Sequence, residues 1–401
     1  MSVARVDMLV IGAGLIGAAA AWHGARAGAS VLLVDAGHPN VGASGQNAGS
    51  LHFQIERRFL ENGERMADEA ARITAISRMA IDDWAGLEAA LGSDLHVRQE
   101  GGLMVAETAG EVALLEAKVR RETAAGLRTR LVDGHEARRI APYLSGAIIA
   151  ASFLADEGHA DPRSVIPAYV RRAQAAGAEL RTGTRVIALD ARRPGFSVVL
   201  RQGDTEQTVV AERVLIAAGA WSGRVAALAN IHLPIFPVAL TMNATERVAP
   251  FLPHLVQHVG RRLSMKQTHA GNVLIGGGWP ARLRRDSTGA FDPGQTPEAI
   301  EASLVGNLRA AIDTVPAVAD LNLLRSWTGA TAITADQLPI VGEVPRAPGL
   351  FVAAGGSAFT LGPTFARLVA QAMLDTDRSA TAEALAVLSP ARLEHLNGFM
   401  G

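Results

Sequence analysis

The sequence predicts an α/β chain of two lobes, one organised around parallel strands and the other an α+β lobe built on an antiparallel sheet. Three observations point there. A continuous apolar run from Met8 to Ile11 passes directly into Gly12-Ala13-Gly14-Leu15-Ile16-Gly17. The same strand-into-glycine grammar returns at Val214 to Gly219 and at Leu350 to Gly356. Between these, residues 226–324 differ in texture, with several prolines and short strand-like runs. Unbroken apolar strands suit a parallel sheet covered on both faces. The length of 401 residues also exceeds what one hydrophobic core usually serves.

Taken in order, Met8 to Ile11 is the first strand, the Ala-rich stretch to about Ala27 is a helix stopped at Gly28, and Val31 to Val34 is a second buried strand ending at Asp35. Residues 61–91 read as one long helix carrying Ile73, Ile76, Met79, Ile81 and Trp84. Residues 110–125 read as another, with a strand at Leu103 to Ala106 between them. Asp161-Pro162 caps a helix to about Ala176, terminated by Gly177. Arg185 to Leu189, Phe196 to Leu200 and Thr208 to Val210 read as short antiparallel strands preceding the buried strand at Val214. In the second lobe, Arg262 to Gln267 pairs with Val273 to Gly276, and a helix covers roughly 297–314. The chain closes with a strand at Leu350 to Ala354 and an apolar helix from about Pro363.

With 38 basic and 39 acidic residues scattered along the chain, the formal charge of −1 leaves no footprint for nucleic acid or an anionic membrane. A small molecule is the expected partner. The absence of cysteine excludes disulfides, thiolate metal sites, Fe–S ligation and a cysteine nucleophile. The start, Met1-Ser2-Val3-Ala4-Arg5-Val6-Asp7, places an acid before an apolar run that ends in a glycine turn, so it reads as a strand and not a cleaved leader. No stretch reaches the ~18 apolar residues of a membrane-spanning helix. No HExxH or similar spacing occurs among the histidines, and no metal is expected.

The glycines at 12, 14 and 17 permit a tight turn, close backbone approach to a pyrophosphate and close packing of helix on strand. The helix that opens with Leu15 and Ile16 offers free N–H groups and the positive end of its dipole to phosphates. At the end of the second strand, Asp35, followed by Ala36, stands where a carboxylate accepts hydrogen bonds from ribose hydroxyls. Together these predict a Rossmann-type dinucleotide site, with NAD and FAD both open. The plainer readings are glycines that only pack and an ordinary strand-end acid. The segment Gly42 to Ser50 favours FAD, because a small, polar, glycine-rich loop can run along the second half of that cofactor through backbone donors, Ser44 and Asn47.

Four ordered matches give the chain a family likeness: Gly12 to Gly17 with Asp35; Ser44-Gly45-Gln46-Asn47-Ala48-Gly49; Asp156 to Pro162 leading to Val186; and Arg325 to Gly342 followed by Gly355 to Pro363. The sequence resembles the D-amino-acid oxidase superfamily of flavoproteins, which includes glycine, sarcosine and opine oxidases and D-amino-acid dehydrogenases. The resemblance implies a discontinuous FAD-binding domain, residues 1–85, 148–225 and 325–401, and a substrate-binding domain from 86–147 and 226–324. It implies that Val186 meets the adenine and that Ala218-Gly219 passes beside the flavin. It also implies that Gly355, Gly356, Ser357, Ala358, Phe359, Thr360 and Leu361 approach the flavin pyrimidine, where N–H groups and a helix dipole stabilise negative charge.

One departure stands out. Family members commonly hold the substrate carboxylate with an arginine shortly after Trp-x-Gly, and here Trp327-Thr328-Gly329 is followed by Ala330-Thr331-Ala332. In that respect the chain looks more like catalytic subunits of multi-subunit enzymes. Ser264, Lys266 and Thr268 alternate onto one face of a strand. Lys266 is therefore a candidate to supply the missing charge or to act on the amine or dioxygen, the alternative being a solvent-facing lysine. His52 is the second catalytic candidate, as a ring packed on the flavin or a proton acceptor. His159 and Arg325 read as structural.

The implied reaction is FAD-dependent oxidation of the C–N bond of an amino acid or N-substituted amino acid (opine, proline-like, sarcosine-like or D-amino acid). Hydride passes to flavin N5, and the imine hydrolyses to an oxo acid and an amine. A 2-hydroxy-acid dehydrogenase, an NAD-dependent dehydrogenase and a flavin-bound subunit of a larger dehydrogenase are the alternatives. Expected partners are a small amine, further subunits of a heteromeric enzyme or an electron acceptor. The expected location is the cytoplasm, or the periphery of the inner membrane face.

Overall fold

The computed structural model describes residues 4–374 and 379–400, so Met1 to Val3 of the expected lead-in lie outside the described residues. The apolar run at Met8 forms the buried half of β1 (Ala4–Ile11), at the centre of an eight-stranded sheet. On either side β1 pairs in parallel with β2 (Val31–Val34) and β11 (Thr205–Ile216). The parallel set extends to β8 (Glu179–Arg181) and β18 (Leu350–Ala354), and β17 (Ile340–Glu343) adds antiparallel to β18. β9 (Thr184–Ala191) and β10 (Phe196–Gln202) fold back onto the outer half of β11.

The two strands expected at Thr208 and Val214 are one. No glycine or proline interrupts 205–216, and Ala211 pairs with Phe196 on one side and Val6 on the other, so the chain stays extended. The helix Leu15–Arg26 is buried nearly all round. It packs against the helices Pro162–Ala175 and Gly362–Leu374, as expected of a helix apolar on every side. Asp161 caps the first of these through its carboxylate to the Arg163 N–H, at 2.9 Å.

The helix expected over 61–91 is two helices, Glu64–Arg72 and Thr74–Leu91. At Ile73 the backbone tightens into an Ala70-to-Ile73 bond and turns that buried side chain inward.

The second eight-stranded sheet runs in the order β16 (Leu323–Thr334), β12 (Ile235–Arg247), β15 (Asn272–Gly276), β14 (Ser264–Gln267), β13 (Leu255–His258), β4 (Gly102–Ala106), β6 (Ala150–Leu154) and β5 (Arg130–Asp133). Every pair is antiparallel except β4 with β13, so the second lobe is built on a mainly antiparallel sheet as expected. β6 and β16 hydrogen-bond here, although the sequence grouped 148–225 and 325–401 with the nucleotide lobe. The long β12·β16 ladder escaped sequence reading because Pro237 lies inside it. The proline is tolerated because β15 covers β12 only from Asn243 onward.

The helix expected over 297–314 spans Glu301–Thr314. Its intended first turn is extended, with Glu298 bridged to Arg282 and the Pro297 carbonyl accepting from the Thr328 hydroxyl. A small ribbon of β3 (Ser50–Leu51) and β7 (Gly158–His159) lies apart from both sheets. Among the described residues no helix is long and apolar enough to cross a membrane.

Candidate active site

At the end of β1, Gly12 takes a φ of 107°, and a Cβ there would lie 2.5 Å from the Ala217 carbonyl oxygen and 3.0 Å from the Ala218 Cα. Only glycine fits. A Cβ on Gly17 would meet the Gly12 oxygen at 1.8 Å, so the helix can sit this close to the turn only without a side chain. Gly14 opens the helix without a side-chain cap. Ser44 Oγ accepts from the Leu15 N–H at 3.0 Å, which ties the loop beginning at Gly42 to the same helix start. Asp35 braces the turn: its Oδ2 accepts from Ala13 N–H at 2.7 Å and its Oδ1 from Gly37 N–H at 2.8 Å. Ala36 is exposed beside it. Ala218-Gly219 follows β11 directly and abuts Gly12, while Val186 is buried on β9.

The loop past Gly42 makes one helical turn, Ala43–Gln46. Asn47 turns its amide onto its own loop, donating to the Ala43 and Ser44 carbonyls and accepting from Gly49 N–H. That side chain therefore shapes the loop, leaving Gly45, Gln46 and Ala48 to present its surface. Gly49 has a φ of 75° and would carry a Cβ 2.1 Å from the Ala160 oxygen. From the second sheet, the Trp327 indole N–H donates to the Gln46 carbonyl at 2.9 Å.

The turn after β18 closes over the same region. Gly355 has a φ of 128°, and a Cβ on Gly356 would lie 2.9 Å from the Arg58 guanidinium. Ser357 Oγ donates to Glu56 at 2.5 Å and accepts from Arg58 at 3.0 Å. Thr360 Oγ accepts from the His52 N–H and donates to the Ser50 carbonyl. The Thr360 carbonyl accepts from the buried Trp84 indole, whose ring lies 5.3 Å from that of Phe359. Ala358 is half-buried and Leu361 buried.

The two catalytic candidates enter from opposite lobes. His52 Nε2 lies 3.2 Å from Ser264 Oγ, and its Nδ1 is buried without a partner. Burial lowers its pKa, so the ring is held neutral. Ser264 and Lys266 share a face, as the alternation requires, but Lys266 is not solvent-facing: it is 2% exposed. Its Nζ donates to the Ala160 carbonyl at 3.2 Å. Burial pushes the amine down to about 7, against the opposing pull of Asp161.

Sequence reading missed Glu56 and Arg58. Burial pushes the Glu56 carboxyl up, but the Arg58 guanidinium, His52 and hydrogen bonds from Arg58 and Ser357 outweigh it and hold the pKa at about 2. Arg58 also donates to the Gln337 carbonyl at 3.1 Å. The available signal was a charged triplet, Glu56-Arg57-Arg58, inside an otherwise apolar stretch.

A cavity of about 440 Å³ opens between Gly45 to Ala48, His159 to Arg163 and the inner face of the second sheet, with Lys266 in its wall. Arg325, expected to be structural, also lines it. At its edge His96, Asp161 and His269 bring ligand atoms within 4.8 Å of one another. Asp161, however, already holds Arg163 and its helix start, and Arg163 and Lys266 line the same cavity, which opposes a metal cation there.

Residues 7–372 match the family described as DAO, FAD dependent oxidoreductase. The chain belongs to this family. The oxidoreductase is 27% identical over 373 residues to an opine oxidase subunit of Rhizobium meliloti, covering 91% of this chain and 92% of the relative. It is 28% identical over 392 residues to glycine oxidase of Geobacillus kaustophilus, covering 97% of each. Its fold is that of the L-proline dehydrogenase of P. horikoshii, with a TM-score of 0.83 at 22% identity over 98% of this chain and 99% of the other. The oxidoreductase is FAD-dependent, and its glycine turn fits the cofactor: Gly12 and Gly17 let the helix close on the end of β1, and Gly14 opens that helix with no side-chain cap.

Proposed function

We propose that this oxidoreductase oxidises the C–N bond of an amino acid or N-substituted amino acid, giving an imine that water splits into an oxo acid and an amine. The observation that carries the reading is a pair of bases, the half-buried His52 imidazole, held neutral, and the buried Lys266 amine, presented beside the glycine cradle and its loop. Relatives along nearly the whole chain are named opine, glycine and sarcosine oxidases.

FAD, when bound, supplies the two-electron acceptor. Gly12, Gly14, Gly17 and Asp35 would hold its nucleotide end, with Ser44 to Gly49, Ala218-Gly219 and the turn at Gly355 along the remainder. An ammonium substrate must lose a proton before its C–H bond can break as a hydride, and a buried base that is uncharged near neutrality can accept it. His52 Nδ1 has no other partner. Arg58, set against Gly356, is paired with Glu56 and braces the turn at Gly355 through Ser357 and the Gln337 carbonyl.

Anaerobic titration of the FAD-loaded protein against D-amino acids, N-alkyl amino acids, opines and 2-hydroxy acids tests this. Bleaching of the yellow flavin by at least one amine class is expected. Bleaching by 2-hydroxy acids alone would overturn the reading.

Relatives named as single subunits of an opine oxidase and of a sarcosine oxidase support a second element, that the chain works with other polypeptides. Stoichiometric polypeptides should accompany a tagged chain isolated from its own cells.

A further inference from the structure

The cavity beside Lys266 carries more positive charge than amine oxidation needs. Three guanidiniums line it, Arg163, Arg247 and Arg325, together with the Lys266 amine, against one carboxylate, Asp161. That carboxylate is already paired with Arg163 at 3.1 Å. Among the described residues Arg247 and Arg325 meet no carboxylate within ion-pair distance. Arg247 and Arg325 are exposed, so water screens their repulsion, but guanidiniums gathered around one concavity raise the local concentration of anions.

The arrangement is built into the sheet. Arg325 of β16 pairs with Ala244 of β12, Ala244 with Leu274 of β15, and Leu274 with Lys266 of β14. One row across four strands thus carries a nitrogen donor at each end, the Arg325 guanidinium and the Lys266 amine, with small or aliphatic side chains between, leaving room for a ligand. Arg325 lies 4.9 Å over the Trp327 ring, which limits its swing, and Trp327 is itself pinned to Gln46. Lys266 Nζ has one protein acceptor for three donors. Thr268 Oγ, also in the cavity wall, is buried with no hydrogen-bond partner. A buried hydroxyl left unpaired is costly unless something else completes it.

We infer that this cavity binds a small organic anion bearing carboxylate or phosphate groups, held by Arg247 and Arg325 at the mouth and by Lys266 and Thr268 at the floor. The anionic group has two sources to distinguish: a second acidic group on the amine substrate, or a separate phosphorylated ligand.

Calorimetric titration of the FAD-loaded protein with iminodiacetate and, separately, inorganic pyrophosphate tests the site. At least one should bind more tightly than about 1 mM, with affinity falling as salt rises. Arg247→Gln and Arg325→Gln should each weaken it about tenfold, as expected for loss of a charged hydrogen-bonding partner. Binding of neither probe, or binding unchanged in the double variant, overturns the inference.

The two sources separate kinetically. If the acid belongs to the substrate, Arg325→Gln raises KM for a dicarboxylic amine and leaves KM for an N-methyl amino acid with an uncharged side chain. If the ligand is separate, both KM values hold and pyrophosphate still binds the parent protein. A flavin that no amine bleaches would remove the oxidation proposed above and leave these binding results standing.

Discussion

Lys266 has lost almost all its water, and its titration should be visible in stability as well as in rate. The unfolded chain holds that proton up to about 10.5, the native chain only to about 7. Between those values the unfolded state binds more protons, so stability should rise with pH, on the order of a few kcal/mol across the window. Lys266→Met should flatten the rise in thermal melts taken from pH 6.5 to 10, and should remove any break near pH 7 in kcat/KM. Parallel melting profiles for variant and parent would show that the amine is not titrating in the buried state. Arg58 makes a complementary case. Arg58→Met leaves the half-buried Glu56 carboxylate without its guanidinium, which should cost about 1–2 kcal/mol in urea unfolding. Adding Glu56→Gln should recover part of that loss. At this scale the placement of His52 and Lys266 was legible, though not a catalytic role, because strand alternation and a position next to a glycine loop are local signals. Glu56 and Arg58 were not, because their importance comes from Ser357 and Gln337, some 300 residues away in sequence.

Between the lobes, the helix Ala109–Ala124 inserts a charged pair where an apolar contact would be expected. Lys118 and Glu122 are both fully buried. Lys118 Nζ donates to Glu122, Gln54 and Ser152 at 2.6–3.0 Å, and Glu122 accepts from the Ile55 N–H at 2.5 Å. Gln54 in turn donates twice to Glu157, whose pKa burial raises to about 7. The network fixes the stretch between His52 and Glu56 to the second sheet, and so sets where both side chains point. Lys118→Met strands a buried carboxylate and should destabilise by about 3–5 kcal/mol in urea unfolding. A loss below about 1 kcal/mol would mean that water enters the network. Periodicity revealed the helix but not its contacts, since Lys118 and Glu122 look like an ordinary exposed i,i+4 pair. The same limit hid the β12·β16 ladder, where an internal proline argued against a strand and only the absence of a neighbour at that point admits it. The glycine turn was the most legible element because its steric demand is met within one strand-turn-helix unit.

For the whole molecule, the polar contacts between the second sheet and the loop beside β1 include the Trp327 indole on Gln46, Ser264 on His52, and Lys266 on Ala160. Each joins the second sheet to the loop at Gly45 to Gly49 or to its neighbours, where FAD would be held. Cofactor binding should therefore stabilise both lobes together. A ligand at a hundredfold excess over its Kd adds about 2.7 kcal/mol, enough to raise Tm by several degrees. FAD-loaded protein should melt in one transition by both flavin release and far-UV circular dichroism. Apoprotein should melt lower and more broadly, because the loop then loses a partner and the lobes share only the direct contacts. Gly12→Ala, which drives a methyl group toward the Ala217 oxygen, should behave as apoprotein even with excess FAD. Trp327→Phe should separate the two effects: it keeps the cradle, so FAD still binds, but removes the bond to Gln46, so the joint transition should split or widen. If Trp327→Phe melts as sharply as the parent while Gly12→Ala still fails to bind FAD, the cofactor itself and not the indole contact holds the lobes in register.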